Sequence, residues 1–346
     1  MPKGNKISVV IPFYNAEKTL ELCLDGLRNQ TVKPEEIILV DNNSTDTSKE
    51  IVNAFINDHR DPQIVYVFCR KEGPSAARNK GAEVATGEWL LFTDSDCLPS
   101  STWISDYIRH FDDEEIGAVA GCIKPYSPSN LVQKTLSLFT LPENQKEIIH
   151  DHLSIGEGLY PAANLAVRRD VFSLAGGFNE SLTYGEDHEL CYEIYKSGHK
   201  IKAVTDAAVE HLHRKSIRKL IKQSFGFGTA HPYELRHFTP GAFIFMSPIL
   251  KMRKIWPRRY VWIDLNQADK KILLLFMLGW IWWPLYSIMF AYFLQLCFFT
   301  YKKSVEKSIS TKLIELPFLA CLLILKSLCL TTGRVSHSLK HRVLCF

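Results

Sequence analysis

Residues 272–299 run for 28 positions without one charged side chain. About 20 apolar residues suffice to cross a bilayer, so no other segment limits the fold as strongly: a helix built from this one has no polar face to turn to water. The run is expected to be membrane-embedded. Trp280, Trp282, Trp283 and Pro284 fall in its middle, which leaves a kinked span, a tilted span and a re-entrant hairpin open. A second run, 313–330, contains Glu315, Pro317 and Lys326 and is open to spanning or to lying flat. Lys251, Arg253, Lys254, Arg258, Arg259, Lys270 and Lys271 precede the first run, and such charge marks the cytoplasmic side and suits anionic lipid. Lys302, Lys303, Lys307 and Lys312 follow it, where one crossing would put them outside. Topology and oligomeric state are therefore left open, and no nucleic-acid partner is expected.

The rest of the chain has a different pattern. Short apolar runs at 7–11, 37–40, 64–68 and 89–93 alternate with amphipathic stretches at 16–29, 44–57 and 75–85, and Leu20, Cys23, Leu24 and Leu27 recur at helical spacing. This predicts strand-helix-strand units and a mostly parallel α/β sheet. A less regular middle, 98–215, holds a strand candidate at 116–121, a GGF turn at 176–178 and a helix at 187–197. With 346 residues, 46% of them apolar, a sizeable core can be filled. The expected division is a catalytic domain at 1–215, with a nucleotide half at 1–97 and an acceptor half at 98–215. A basic juxtamembrane linker at 216–271 follows, then a membrane-associated region at 272–346 with spans at 272–299 and 313–331. Nine scattered cysteines without a CxxC pair point to free thiols in a reducing compartment. The start MPKGNKISVV offers no small-residue cleavage site, so no signal peptide is expected and the catalytic part should face the cytosol, at the cell membrane.

Right-handed crossovers should bring Pro12, Asp41 and Asp94 to one edge of the sheet, where open α/β sheets bind ligands. Asp94-Ser95-Asp96 directly follows an apolar strand, and two carboxylates so placed can hold Mg²⁺ or Mn²⁺ and the phosphates it bridges. A turn favoured by local hydrogen bonding explains an isolated DxD equally well. Asp41 could accept from a nucleobase ring N–H, whereas Ser44 would cap the next helix and Asp46 would suit its first turn. Arg78, just inside a helix opened by Gly73-Pro74, could pair with a diphosphate or be a solvated charge. Glu186 and Asp187 could cap a helix, or one of them could take a proton from a sugar hydroxyl. His211 and His213 share a face of an extended segment and are open to metal or phosphate contact.

In order, VVIPFYN (9–15), VDNNSTD (40–46), GPSAARN (73–79), FTDSD (92–96), NLAVRRDVFSLAGGF (164–178) and GED (185–187) resemble glycosyltransferase family 2, with its GT-A fold and inverting chemistry. The resemblance implies that Pro12, Tyr14 and Asp41 line a nucleoside pocket with Arg78 nearby, and that Asp94, Ser95 and Asp96 hold the nucleotide and a divalent metal. It implies Asp187 as general base, His211 or His213 near the metal, and Asn164 and Glu186 around the sugar and acceptor. The usual VDDGSTD reads VDNNSTD here, and the QxxRW signature of processive synthases is missing where HLHRKS follows Glu210. Addition of one sugar, with a UDP-sugar favoured, to a lipid-linked or surface-glycan acceptor is the expectation. The alternative is a non-catalytic nucleotide-sugar-binding subunit of a glycan assembly complex.

Overall fold

The computed structural model describes residues 6–58, 61–141, 144–153, 158–247 and 250–346. Residues 1–5, on which the leader expectation partly rests, and the side chains of Lys251 and Arg253 lie outside the described residues. The chain opens with β1 (Ile7–Phe13), α1 (Leu20–Arg28), β2 (Glu36–Asp41), α2 (Ser48–Asp58), β3 (Gln63–Phe68), α3 (Pro74–Val84), β4 (Trp89–Thr93) and β5 (Cys97–Pro99). It continues through α4 (Trp103–Ile108), β6 (Ile116–Ala120), β7 (Ile123–Pro125), α5 (Leu131–Phe139), β8 (Ile148–His150), β9 (Asn164–Arg168), α6 (Arg169–Leu174), α7 (Glu186–Lys196), β10 (Lys200–Ala203) and β11 (Val209–His211). The last third comprises α8 (Ile217–His237), β12 (Ala242–Met246), β13 (Lys251–Ile255), β14 (Tyr260–Asp264), α9 (Ala268–Gly279), α10 (Leu285–Glu306), α11 (Leu316–His341) and β15 (Leu344–Cys345). Two compact units result: residues 1–126 with 142–212, and residues 127–141 with 213–346. Segment 127–141, placed by sequence in the acceptor half, groups with the C-terminal unit.

The first unit is built on a mixed eight-stranded sheet, ordered β3-β2-β1-β4-β9-β6-β10-β8. Strands β2 and β4 are buried at every residue, which is why they read as unbroken apolar runs instead of alternating ones. The register sets Phe13 beside Asp41, Val10 beside Phe92, and Thr93 beside Asn164 on the antiparallel β9. The carboxyl ends of β1, β2 and β4 and the amino end of β9 therefore share one edge. Helix α3 lies so close on β1 that a Cβ at Gly81 would come within 2.4 Å of Val10 Cγ1, which makes glycine the residue that fits. A small sheet, β5-β11-β7, sets His211 opposite Cys97 and Pro125.

One helix start differs from expectation. Helix α2 begins at Ser48, not Ser44, because Asp46 Oδ1 accepts from the Ser48 N–H at 3.0 Å and its hydroxyl at 2.5 Å. Ser44 does not cap; its Oγ accepts from the Asn15 N–H at 3.1 Å.

In the second unit the uncharged run is not one helix. Pro284, lacking an N–H, sits at the break between α9 and α10. A Cβ at Gly279 would meet the Tyr286 ring, Phe276 packs on the same ring, Lys271 Nζ lies 5.3 Å from the Tyr292 ring centroid, and Ala268 packs with Leu296. Positions rising along α9 thus meet positions falling along α10, so the pair is an antiparallel hairpin. Among the described residues one helical stretch, Leu313–His341, is long and apolar enough to cross a membrane, and about a third of its apolar window is buried inside the protein. The first run thus takes the hairpin form among the alternatives it left open, and the more interrupted run forms the membrane-length helix. That helix crosses α8 backbone to backbone, with Gly228 and Gly333 at the contact. Buried Arg334 on α11 donates from Nε to His231 Nδ1 at 2.7 Å and from Nη1 to Asp264 Oδ2 at 3.2 Å.

Candidate active site

Two acidic motifs far apart in sequence meet at one arginine. Gly73 (φ 118°) and Pro74 start α3, which buries Arg78. Its Nη2 donates to Asp94 Oδ1 at 2.8 Å and its Nη1 to Glu186 Oε1 at 3.0 Å. The guanidinium also lies over the Phe178 ring, 5.3 Å from its centroid. A buried guanidinium between two carboxylates is a paired charge, so the solvated-surface reading of Arg78 does not hold. Asn79, one residue on, explains why Phe178 stays in place. Its Nδ2 donates to the Phe178 carbonyl at 2.8 Å and its Oδ1 accepts from the Phe178 N–H at 2.8 Å.

Gly185, at φ 83°, turns the chain into α7 so that Glu186 and Asp187 occupy its first turn. Glu186 is buried, and its carboxyl is pushed up to about 6 by that burial first and by Asp187 next, against the pull of Arg78. The half-buried Asp187 accepts from the His188 N–H at 2.9 Å. The shift in Glu186 has a sign that stability can read. The folded state holds this proton more tightly than the unfolded chain, so the stabilisation is complete below about 4.5 and is lost as pH rises through about 6. Unfolding free energies from pH 4 to 7 should show wild type losing about 2 kcal/mol relative to Glu186→Gln. A pH-independent offset between the two would contradict the shift.

Asp96 and His211 form the second cluster. Asp96 Oδ1 lies 3.5 Å from His211 Nε2, and with Cys97 Sγ all three donor atoms fall within 4.8 Å of one another. The pairing of β11 with β5 creates this closeness, and the Leu212 N–H donating to the Asp96 carbonyl at 2.8 Å secures it. Burial, with Asp96 and Asp94 nearby, pushes the Cys97 thiol well above its usual range, leaving a carboxylate and an imidazole as the ready donors. That oxygen-nitrogen set fits Mn²⁺, and Mg²⁺ less closely. Of the expected metal residues, Asp94 is engaged by Arg78. His213 belongs to the other unit, where its carbonyl accepts from Gln133 Nε2 at 2.9 Å.

At the end of β2, Asp41 is 3% exposed and accepts from the Tyr66 hydroxyl at 2.9 Å and the Ser44 N–H at 2.9 Å. Burial and the bond to Asp41 push the Tyr66 phenol up to about 12. Asn42 donates to the carbonyls of Cys69 and Lys71 and accepts from the Gly73 N–H. An aspartate could not make the two donor bonds, so the departure from VDDGSTD ties β2 to the turn that starts α3. Pro12 pairs with Val40 beside this loop, and Tyr14 stands 62% exposed at the same edge.

Asn164 corrects the expectation. Its Oδ1 accepts from Trp103 Nε1 and the Tyr107 hydroxyl, both at 2.8 Å, and its Nδ2 donates to the carbonyls of Cys122 at 2.9 Å and Ala207 at 2.8 Å. Two lone pairs and two N–H bonds are the whole capacity of an amide. Nothing is left for a sugar or acceptor, so Asn164 braces the floor of the site. The sequence reading assigned no role to Tyr66, Asn79, Trp103, Tyr107 or Phe178; only the place of Asn79 and Phe178 as the last residues of the GPSAARN and GGF motifs could have flagged any of them.

Residues 8–174 match the sequence profile of glycosyl transferase family 2. A pre-mycofactocin glycosyltransferase of Mycobacterium tuberculosis is 28% identical over 248 residues, covering 68% of this chain and 49% of that protein. The chain thus spans about half the length of the curated relatives it first matches. Among solved structures, a mannosyltransferase from Pyrobaculum calidifontis, in complex with GDP-Man and Mn²⁺, is 22% identical with a TM-score of 0.51, covering 64% of this chain and 62% of its own. Residues 1–349 of S. aureus TarS, in complex with UDP-GlcNAc, are 18% identical with a TM-score of 0.52, covering 97% and 92%. These likenesses establish the GT-A fold.

Proposed function

We propose that this chain, a member of glycosyl transferase family 2 through residues 8–174, moves one sugar from a nucleotide-diphosphate donor to a lipid-linked or surface-glycan hydroxyl at the cytoplasmic membrane face, with inversion. The observation that carries this reading is Arg78, which joins Asp94 of the DSD motif to Glu186 of the GED motif. A scaffold has no need to bury that ion triad beside a neighbouring half-exposed carboxylate, whereas a group-transfer site does.

Each residue then has a chemical role. Asp187 takes the proton from the acceptor hydroxyl as its oxygen attacks the anomeric carbon. The bond from that carbon to the diphosphate oxygen breaks on the opposite face, and one displacement inverts the configuration. Asp96 and His211 would hold a divalent ion, Mn²⁺ or Mg²⁺, which when bound offsets charge on the leaving diphosphate. Arg78 keeps Asp94 and Glu186 in register. Asp41, oriented by Tyr66 and Ser44, offers its remaining lone pairs to a base N–H, and Pro12 and Tyr14 border that base. A uracil, with a ring N–H between two carbonyls, suits this best. Ser95 follows Asp94 on the same loop and contacts the nucleotide.

Thermal unfolding with UDP-sugars and GDP-sugars, each with and without Mn²⁺, tests the donor site. A donor at a hundredfold excess over its Kd should stabilise wild type by about 2.7 kcal/mol, and most of that gain should require the metal. Asp96→Asn and His211→Ala should each lose the metal-dependent part. A gain that survives both substitutions would take the metal away from these residues.

A further inference from the structure

The α9–α10 hairpin ends in a cluster of strongly exposed apolar residues. Trp280 is 78% exposed, Ile281 84% and Trp283 75%, and Leu274, Met277, Ile288, Phe290 and Leu294 continue the apolar surface down both arms. Water-facing surface of this size and continuity marks a buried partner. The partner's chemistry is written at the base: Lys270 and Lys271 open one arm, Lys302 and Lys303 close the other, and of these Lys270 donates to Thr331 and Lys303 pairs with Glu306, which leaves Lys271 and Lys302 to meet an anionic surface. Because the arms are antiparallel, all four ammonium groups lie toward the same end, opposite the tryptophans. At 1.5 Å per residue, Lys271 stands about 12 Å from Gly279 at the end of α9, within one leaflet of a ~30 Å hydrocarbon core, whereas Lys302 stands about 26 Å from Leu285 on the longer α10 arm and lies farther out from the tip. An open groove between the arms, lined by Leu274, Leu275, Ile288 and Ala291, has Lys271 at its mouth, which suits an acyl chain under an anionic headgroup.

We propose that this hairpin enters one leaflet of an anionic bilayer tip first and does not cross it, anchoring the chain from a single side. This deepens the membrane-face reading above and rests on it. It also removes the difficulty that the lysines before and after the run pose for a single crossing, since both sets now stay at one surface. Helix α11 is long enough to span, but the chain uses it otherwise. It meets α8 backbone to backbone, and it carries Lys326 and a buried Arg334 paired with Asp264 and His231, an arrangement of a unit's interior.

The test is sided labelling of full-length protein in sealed membrane vesicles of both orientations, read peptide by peptide with a membrane-impermeant maleimide. Lys270→Cys and Lys303→Cys should label from the same face, and Ile281→Cys should label from neither until detergent is added. In a second measurement, purified protein is added to vesicles containing phosphatidylglycerol with brominated acyl chains. Bromine should quench wild-type tryptophan fluorescence, with most of that quenching lost in the W280F/W282F/W283F variant, and replacing phosphatidylglycerol by phosphatidylcholine should weaken binding about tenfold or more. Labelling of the two lysine sites from opposite faces would overturn the proposal, because the hairpin would then span. Free labelling of Ile281→Cys, or quenching unchanged in the triple variant, would overturn it as well. Neither measurement reads sugar transfer, so a silent transferase with protected Ile281→Cys would count against the catalytic reading alone.

Discussion

Replacing Asp187 by asparagine should lower kcat by about 10²–10⁴-fold while leaving donor affinity within about twofold of wild type. The amide keeps the shape of the side chain and loses the ability to take a proton. Glu186 cannot substitute, because it is buried and Arg78 engages its Oε1. The effect should fall on the proton-transfer step, so single-turnover release of nucleoside diphosphate should slow as much as steady-state turnover does. Donor binding, measured by the metal-dependent stability gain, should persist. Turnover unchanged in Asp187→Asn would remove this residue from the chemistry and move the search for a base along α7.

Asn164→Ala should produce the largest loss of stability among single substitutions around the site. It strands an indole N–H, a phenol and two carbonyls that are buried together. Each stranded group costs on the order of 1–3 kcal/mol, and the loss should reach at least about 4 kcal/mol. For a unit of this size that corresponds to a fall in Tm of roughly 10 °C. Asn164→Asp separates the two halves of the network, since a carboxylate can still accept from Trp103 and Tyr107 but cannot donate to Cys122 and Ala207. It should also destabilise the protein. If Asn164→Ala melted within about 2 °C of wild type, the bracing role would be wrong and a ligand role would reopen.

Strands β1, β2 and β4 were legible because each is a short apolar run inside the sheet, where burial on both faces removes any need for alternation, and the edge strand β3 was legible from its own short apolar run. Helix α1, which precedes Asp41's own strand, was legible from its 3.6-residue spacing, whereas the start of α2 was misplaced because Asp46, not Ser44, satisfies the first amide. Single motifs showed which acids lay at strand ends. They did not show which acids meet: the contact of Arg78 with Glu186 joins positions 108 residues apart, and no local pattern encodes it. The same limit hid Asn164, whose four partners lie on other segments of the chain. In the second unit composition marked the apolar run but not its geometry, because Pro284 and the tryptophans are compatible with a kink and with a hairpin until the packing of Tyr286 and Tyr292 is seen.

The most direct test of the account is turnover itself. Membranes carrying the full-length protein, supplied with Mn²⁺ and in turn with UDP-sugars and GDP-sugars, should release nucleoside diphosphate from one donor class as a glycosylated lipid or glycan appears. The release should require the metal and stop in Asp187→Asn. Absence of release from every donor, in membranes where the protein binds a donor with a metal-dependent gain in stability, would contradict the account and leave a nucleotide-sugar-binding protein without transfer.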